Sequence, residues 1–403
     1  MRIIHTSDWH LGQRLLGESR EVEHREFLKW LLELLEEKKP DVLIVAGDIF
    51  DSATPPSYAR KLYNDFLAEF AKSSCPNLII IGGNHDSASV LNEEKRLLKE
   101  LNIFVVGGFE ESIKDIVIPI DGQNGKLVGA VGAVAYLRES NLRDSSKSTS
   151  LEDRAKELEK EISSYYAKVF DECKEIAKNL PIVATGHLST LKFESEAVRE
   201  IYIGSLEIFN KELFPPFDYI ALGHFHKFTK MKNICYCGSP IVLSFDEIKD
   251  EKVILEVEVT KESLKIDKIR VPSFRKLHRL SGDFDSLKSQ IESIKADSKV
   301  LPEWLELEIE PKGLSSITQM LEELKGLNQD LKIIKNVIKS GSKNLGLNQI
   351  EKKSFELKSL NPLGVFQKKL EQEENLEEED KKRLTLAFRE ILEELDEDNK
   401  AQI

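Results

Sequence analysis

The chain has 403 residues, 40% of them hydrophobic, which allows two or three soluble domains with sizeable cores. No apolar run approaches the length of a membrane span, and Cys75, Cys173, Cys235 and Cys237 form neither a disulfide framework nor a Cys-x-x-Cys pair, which fits a reducing cytoplasm. The net charge of −13 runs against phosphate neutralisation, but residues 371–403 hold thirteen acidic and five basic residues, leaving −5 for the first 370.

Met1-Arg2-Ile3-Ile4-His5 runs directly into a strand, without a signal-peptide pattern, and leads to Asp8-Trp9-His10. An amphipathic helix follows over about 19–38, with Phe27, Leu28, Leu31, Leu32, Leu34 and Leu35 on its apolar side, and ends before Pro40. The strand Val42-Leu43-Ile44-Val45 leads to Gly47-Asp48-Ile49-Phe50-Asp51, and a second helix runs from about Pro56 to Ala71. Leu78-Ile79-Ile80-Ile81 leads to Gly83-Asn84-His85-Asp86, and a third helix is expected over about 90–101. Phe104-Val105-Val106 and Leu127-Val128-Gly129-Ala130-Val131 read as further strands. Residues 138–150 are polar and serine-rich, a surface loop that is a candidate to face substrate. A long helix over about 151–179 precedes Ile182-Val183-Ala184 and Gly186-His187; residues 190–215 read as an irregular insertion near the site. Tyr219-Ile220-Ala221-Leu222 leads to Gly223-His224-Phe225-His226. Lys227, Lys230 and Lys232 come next, either as phosphate contacts or as a solvated hairpin turn. The strands at 253–259 and 266–271 are expected to complete the second sheet of a two-sheet sandwich.

Five of the eight histidines lie in clusters that follow buried strands, and His5 lies within the first strand as a structural residue. Continuous aliphatic runs mark strands covered on both faces, and ligands of such sheets bind beyond the carboxyl ends of the strands. Carboxylate, amide and imidazole donors gathered at one edge point to a site for two divalent metals. That donor set suits manganese, iron or zinc better than calcium or magnesium. The absence of cysteine ligands argues against a structural zinc site.

Asp-x-His, Gly-Asp-x-x-Asp, Gly-Asn-His-Asp, Gly-His and Gly-His-x-His together resemble the calcineurin-like metallophosphoesterase signature. Within it, Thr6-Ser7-Asp8-Trp9-His10-Leu11-Gly12, Pro55-Pro56-Ser57-Tyr58-Ala59-Arg60 and the stretch from Gly238-Ser239-Pro240 to Phe245-Asp246-Glu247 resemble the SbcD family of nuclease subunits. The resemblance is dense over roughly the first 250 residues. It implies that Asp8, His10, Asp48 and His226 hold one ion, and that Asp48, Asn84, His187 and His224 hold the other. Asp48 would bridge the two cations, and Asn84 would supply a neutral oxygen. His85 follows a ligand and titrates in a useful range, so it reads as the catalytic group that is not a ligand. Asp51 and Asp86 read as partners that orient ligands. Relatives that carry a histidine where Asp51 stands give no role that transfers here.

The implied architecture is an α/β two-sheet sandwich flanked by helices over residues 1–272, the nuclease domain. A small α+β capping domain that helps position DNA follows over 273–340, then a linker over 341–360. Helices over 361–403 carry Leu384, Phe388, Ile391, Leu392 and Leu395 at helical spacing, and the resemblance implies that they dock on an SbcC-type ATPase. No phosphate-binding Gly-x-x-x-x-Gly-Lys-Ser/Thr loop occurs, so ATP dependence would come from that partner. The implied activity is a manganese-dependent exonuclease on double-stranded DNA and an endonuclease on single strands and hairpins. It would serve DNA repair, recombination and replication, as a homodimer within a heterotetramer in the cytoplasm, with no membrane association. Two other readings are a phosphoesterase acting on a small ester or phosphoprotein, and a non-catalytic scaffold for the ATPase. Ser52-Ala53 after Asp51, and Asp86 after His85, depart from the phosphoprotein phosphatase pattern.

Overall fold

The strands that the aliphatic runs call for are present and covered on both faces. The structure, a computed structural model, describes residues 1–142, 151–190, 209–295, 301–310 and 317–338. The expectations for residues 143–150, for most of the 190–215 insertion, for the linker and for the C-terminal helices lie outside the described residues. In chain order the elements are β1 (Arg2–Thr6), β2 (Arg14–Leu15), β3 (Glu18–Ser19), α1 (Glu21–Lys38), β4 (Val42–Ala46), α2 (Ser57–Phe70), β5 (Leu78–Ile81), α3 (Ala88–Leu91), α4 (Lys95–Lys99) and β6 (Ile103–Val106). They continue with β7 (Val117–Asp121), β8 (Leu127–Ala133), α5 (Glu139–Leu142), α6 (Leu151–Ala177), β9 (Ile182–His187), β10 (Tyr219–Gly223), β11 (Thr229–Met231), β12 (Ile234–Tyr236), β13 (Val253–Val259) and β14 (Leu264–Arg270). The last are β15 (Leu277–Gly282), α7 (Phe284–Ser293), β16 (Glu303–Ile309), α8 (Ile317–Lys325) and β17 (Leu331–Ile338).

Two six-stranded sheets stack face to face, with the order β14-β13-β1-β4-β5-β6 in the first and β11-β12-β10-β9-β8-β7 in the second. β4 and β5 are buried along their whole length, because β9 and β10 lie on one side while the apolar faces of α1 and α2 fill the core on the other. Each fully buried Leu, Ile or Val contributes about 1.5–3 kcal/mol, which is why these strands carry no polar residue. α6 closes the far side of the second sheet against β7, β8 and β9. α1 stops where Lys39 turns into the left-handed region (φ 47°) ahead of Pro40.

Two expectations need correction. The hairpin β13–β14 does not complete the second sheet. β13 pairs antiparallel with β1, Arg2 opposite Glu258, and so extends the first sheet. β14 then forms the outer edge, where its alternation of partly buried and exposed residues suits a strand with one wet face. The helix expected over 90–101 is two short pieces, α3 and α4, separated at Asn92. The Asn92 carboxamide accepts from the Gly107 amide at 2.9 Å, so this residue ties the break to the loop after β6. The small hairpin β2–β3, and the helix α5 inside the expected surface loop, have no counterpart in the sequence pattern.

Beyond residue 272, β15, β16 and β17 form a parallel sheet of three strands. α7 and α8 cover one face through Leu287, Ile291, Leu305, Leu307, Ile309 and Leu324. The other face is anchored to the rest of the molecule. Leu277 and Trp304 join Leu15 and Phe245 in a second small core. Beside it the buried carboxylate of Glu23 accepts from Arg20 Nε at 2.9 Å and from Arg275 Nε at 2.6 Å. Both guanidinium groups lie over the Trp304 ring, at 5.4 and 4.2 Å. Removing one partner from such a buried set strands a charge, at about 3–5 kcal/mol.

Candidate metal centre

The clusters after β1, β4, β5, β9 and β10 meet at one edge of the stacked sheets. The local sequence explains how. In Asp8-Trp9-His10 the middle residue is fully buried against Phe27 and Phe66, at ring distances of 5.9 and 5.2 Å, and its indole donates to Thr6 Oγ1. In His224-Phe225-His226 the middle ring packs on Tyr236 at 4.5 Å. An apolar anchor therefore pulls inward between two polar side chains that are left at the edge. Holding both flanks there strains the backbone. Asp8, His10, Asp48 and His224 all have positive φ (51°, 46°, 50° and 105°), a region that residues with a Cβ rarely occupy. Four such residues in one site mark a geometry that the surrounding fold imposes.

The donors converge. His10 Nε2 lies 3.2 Å from His226 Nε2 and 3.6 Å from Asp48 Oδ2. His187 Nε2 lies 3.0 Å from Asn84 Oδ1 and 3.3 Å from Asp48 Oδ2, and His224 Nδ1 lies 3.1 Å from Asn84 Oδ1. Among the described residues two groups have donor atoms within 4.8 Å of one another: Asp8, His10 and His226, and Asp8, Asp48 and His187. Asp8 belongs to both groups, and Asp48 Oδ2 also lies within 3.6 Å of His10 Nε2 and 3.3 Å of His187 Nε2. Gly83 is required beside Asp48, because a Cβ there would fall 2.1 Å from Asp48 Oδ1.

Three outward ring nitrogens face an oxygen, which leaves the inward ones toward the space a cation would take. His187 Nδ1 donates to the Ala46 carbonyl at 3.0 Å, His10 Nδ1 faces Asp51 Oδ1 at 3.2 Å, and His226 Nδ1 faces Glu247 Oε1 at 3.3 Å. Imidazoles fixed from behind in this way, with Nε2 atoms, two carboxylates and an amide oxygen in front, fit divalent metal ions. Asp86 acts on the backbone. Its buried carboxylate accepts from the amides of Ile49, Phe50 and Gly83 at 3.0, 2.9 and 2.8 Å, stapling the loop of Asp48 to the loop of Asn84.

Charge follows from burial. Burial disfavours a charged His187, but the nearby Asp48 carboxylate outweighs it and raises the imidazole to about 9. A cation that takes Nε2 displaces that proton, so affinity rises with pH. Burial, with His187 beside it, drives His224 down to about 3. Burial and the Asp48 charge push Asp86 up to about 6, against its three amide hydrogen bonds.

His85 lies at the rim, its ring 5.0 Å from that of His10, with Nδ1 bonded to the Asp51 carbonyl at 2.9 Å. The three lysines are outside this cluster. Lys227 pairs with Asp250 at 2.7 Å, and Lys230 and Lys232 are set apart on the strand β11 and the turn after it. Glu247, Lys252 and Ser239 were missed as functional residues. Glu247 and Ser239 lie inside the stretch that carried the resemblance, but only the fold sets them behind His226. Burial opposes the charge of Glu247, yet His226 and Lys252 hold its carboxyl down at about 2.

Residues 1–228 match the family profile described as calcineurin-like phosphoesterase. The SbcD component of the nuclease SbcCD from Escherichia coli (strain K12) is 40% identical over 316 residues, covering 77% of this chain and 78% of that protein. The protein of the same name from Rhodobacter capsulatus is 34% identical over 260 residues, covering 62% and 64%. That from Bacillus subtilis (strain 168) is 29% identical over 268 residues, covering 64% and 66%.

Proposed function

We propose, for a chain that belongs to the calcineurin-like phosphoesterase family and within it to the SbcD nuclease subunits, a metal-dependent hydrolase of DNA phosphodiester bonds that works in the SbcCD complex. The observation that carries this reading is the convergence of seven donor residues from five strand ends on one strained edge. Asp8, His10, Asp48 and His226 would hold one divalent ion, and Asp48, Asn84, His187 and His224 the other. The carboxylate, amide and imidazole set favours manganese. Two such ions, when bound, supply Lewis acidity to the phosphoryl oxygens and lower the pKa of an attacking water.

The side chains do the rest. Asp48, within reach of both His10 and His187, would bridge the two ions and offset their mutual repulsion. The Ala46 carbonyl fixes the tautomer of His187, and Asp51, 3.2 Å from His10 Nδ1, would favour a proton there. His85, with Nδ1 engaged by the Asp51 carbonyl, presents Nε2 to stabilise the transition state or to protonate the leaving sugar oxygen. Lys227, Lys230 and Lys232 lie outside the donor cluster and would meet phosphates only farther along a bound strand. Residues 273–340 would position DNA, and residues 361–403, after the 341–360 linker, would bind an SbcC-type ATPase. The chain would act as a homodimer within a heterotetramer; a groove lined by Tyr63, Leu67, Val90, Leu97 and Leu101 together with Arg60, Glu93 and Glu94 lies beside α2. Leu97 and Leu101 are exposed there. The setting would be DNA end processing, repair, recombination and replication in the cytoplasm. Among the described residues no helix is long and apolar enough to cross a membrane.

The test is cleavage of an end-labelled duplex with one hairpin end, in manganese and in EDTA, with and without an SbcC-type ATPase. Manganese-dependent cutting is expected, with His85→Gln retaining metal but losing at least about a hundredfold in rate. Loss of metal together with rate would remove His85 from that role. Cutting in EDTA would remove the metals.

A further inference from the structure

One short turn touches both a candidate metal ligand and the sheet beyond residue 272. Phe245–Glu247 forms a single 3-10 turn, and its three side chains go to three places. Phe245 is 5% exposed and packs with Leu277 and Trp304 of β15 and β16. Asp246 Oδ1 accepts from Arg279 of β15 at 2.7 Å. Glu247 turns the other way, where Oε1 faces His226 Nδ1 at 3.3 Å and Oε2 accepts from Lys252 Nζ at 2.6 Å and from the Leu243 amide at 3.1 Å. The lysine is itself held. Lys252 Nζ also donates to Ser239 Oγ at 2.8 Å and to the His226 carbonyl at 3.0 Å.

We infer that Glu247 is a positioning residue that fixes His226 as the Nδ1–H tautomer with Nε2 toward the metal, and that the 273–338 sheet holds Glu247 in place through Phe245 and Asp246. The inference rests on the metal-site reading above. The physical ground is that His226 is held differently from His187. The ring of His187 is fixed by a carbonyl of a buried strand, whereas His226 is about a third exposed and its outer nitrogen depends on one side chain. A 3-10 turn of three residues has no slack, so a shift of Phe245 carries Glu247 with it. Other buried groups explain less: His24 and His5 lie within the core and reach no open space.

Two measurements on the full chain test this. The first is a calorimetric titration with Mn²⁺ alone of wild type, Glu247→Gln, Phe245→Leu and Asp246→Asn. Glu247→Gln is expected to weaken one of two sites ten- to a hundredfold and to spare the other. Phe245→Leu is expected to weaken the same site several-fold, and Asp246→Asn less. The second is the ¹⁵N spectrum of His226 in the metal-free protein, assigned by its loss in His226→Gln. Wild type is expected as Nδ1–H, and Glu247→Gln as a tautomer mixture. Unchanged Mn²⁺ affinity in Glu247→Gln, loss of both sites together, or a wild-type Nε2–H tautomer would overturn the role of Glu247. Phe245→Leu and Asp246→Asn with unaltered metal binding and tautomer would overturn the part of the 273–338 sheet. Wild type that binds no Mn²⁺ yet has His226 as Nδ1–H, lost in Glu247→Gln, would sink the metal reading and leave the positioning contact standing.

Discussion

The two sheets contribute unequally to the site. The edge of the first sheet brings Asp8, His10, Asp48 and Asn84, so every carboxylate and amide donor comes from it. The edge of the second brings only imidazoles, His187, His224 and His226. The supports differ too. First-sheet donors are held by Trp9 in the core and by the Asp86 staple, both buried. On the second sheet, His226 leans on Glu247 and the elements beyond it. Negative charge thus comes from the edge whose supports are buried. There a buried charge would cost less to hold, because little would need ordering on binding an ion.

The sharpest way to break this contrast is to remove one donor from each edge. Asp48→Ala is expected to abolish both Mn²⁺ sites and lower hydrolysis by more than about a thousandfold, beyond the usual loss for one stabilising group. His224→Ala is expected to leave one site titratable. Equal stoichiometry in the two variants would erase the asymmetry.

Stability should differ in the same direction. Trp9→Ala is expected to cost about 3–5 kcal/mol in denaturant unfolding, with a smaller loss for Phe225→Ala, which is less deeply buried. A larger loss at Phe225 would make the second edge the rigid one. Asp86→Asn comes next, at about 1–3 kcal/mol, because an amide turns one N–H₂ toward backbone amides that need an acceptor.

The pH response is the gentlest probe. His5 and His24 are fully buried, and burial holds both at about 3 against an ordinary 6.5. Above pH 6.5 both are neutral folded or unfolded. As pH falls below 6.5 the unfolded chain takes up protons that the folded one refuses, so stability drops by at most about 1.4 kcal/mol per pH unit for each, until about pH 3. His5 Nδ1 lies 2.8 Å from the Tyr219 hydroxyl, so this loss falls on the contact between the two sheets. Urea midpoints of wild type and His24→Leu between pH 7 and 5 check it, the variant being expected to show the shallower slope.

Much of this protein follows from its sequence alone. Buried strands need unbroken aliphatic runs, and a polar cluster directly after each run can lie only at a strand end. The five clusters and the α/β class were therefore legible from local order, whereas the seating of Trp9 and Phe225 in the core showed only in the fold. Tertiary structure decided what depends on distant partners. It joined β13 to β1 across some 250 residues, an outcome that the pattern of β13 alone leaves open, since either sheet offers the same hydrogen-bonding edge. It also put Asp8, His10, Asp48 and His224 at positive φ and brought Glu247 behind His226. Strain and the choice of hydrogen-bond partner are settled by the packing of the whole chain, and no window of neighbouring residues contains them.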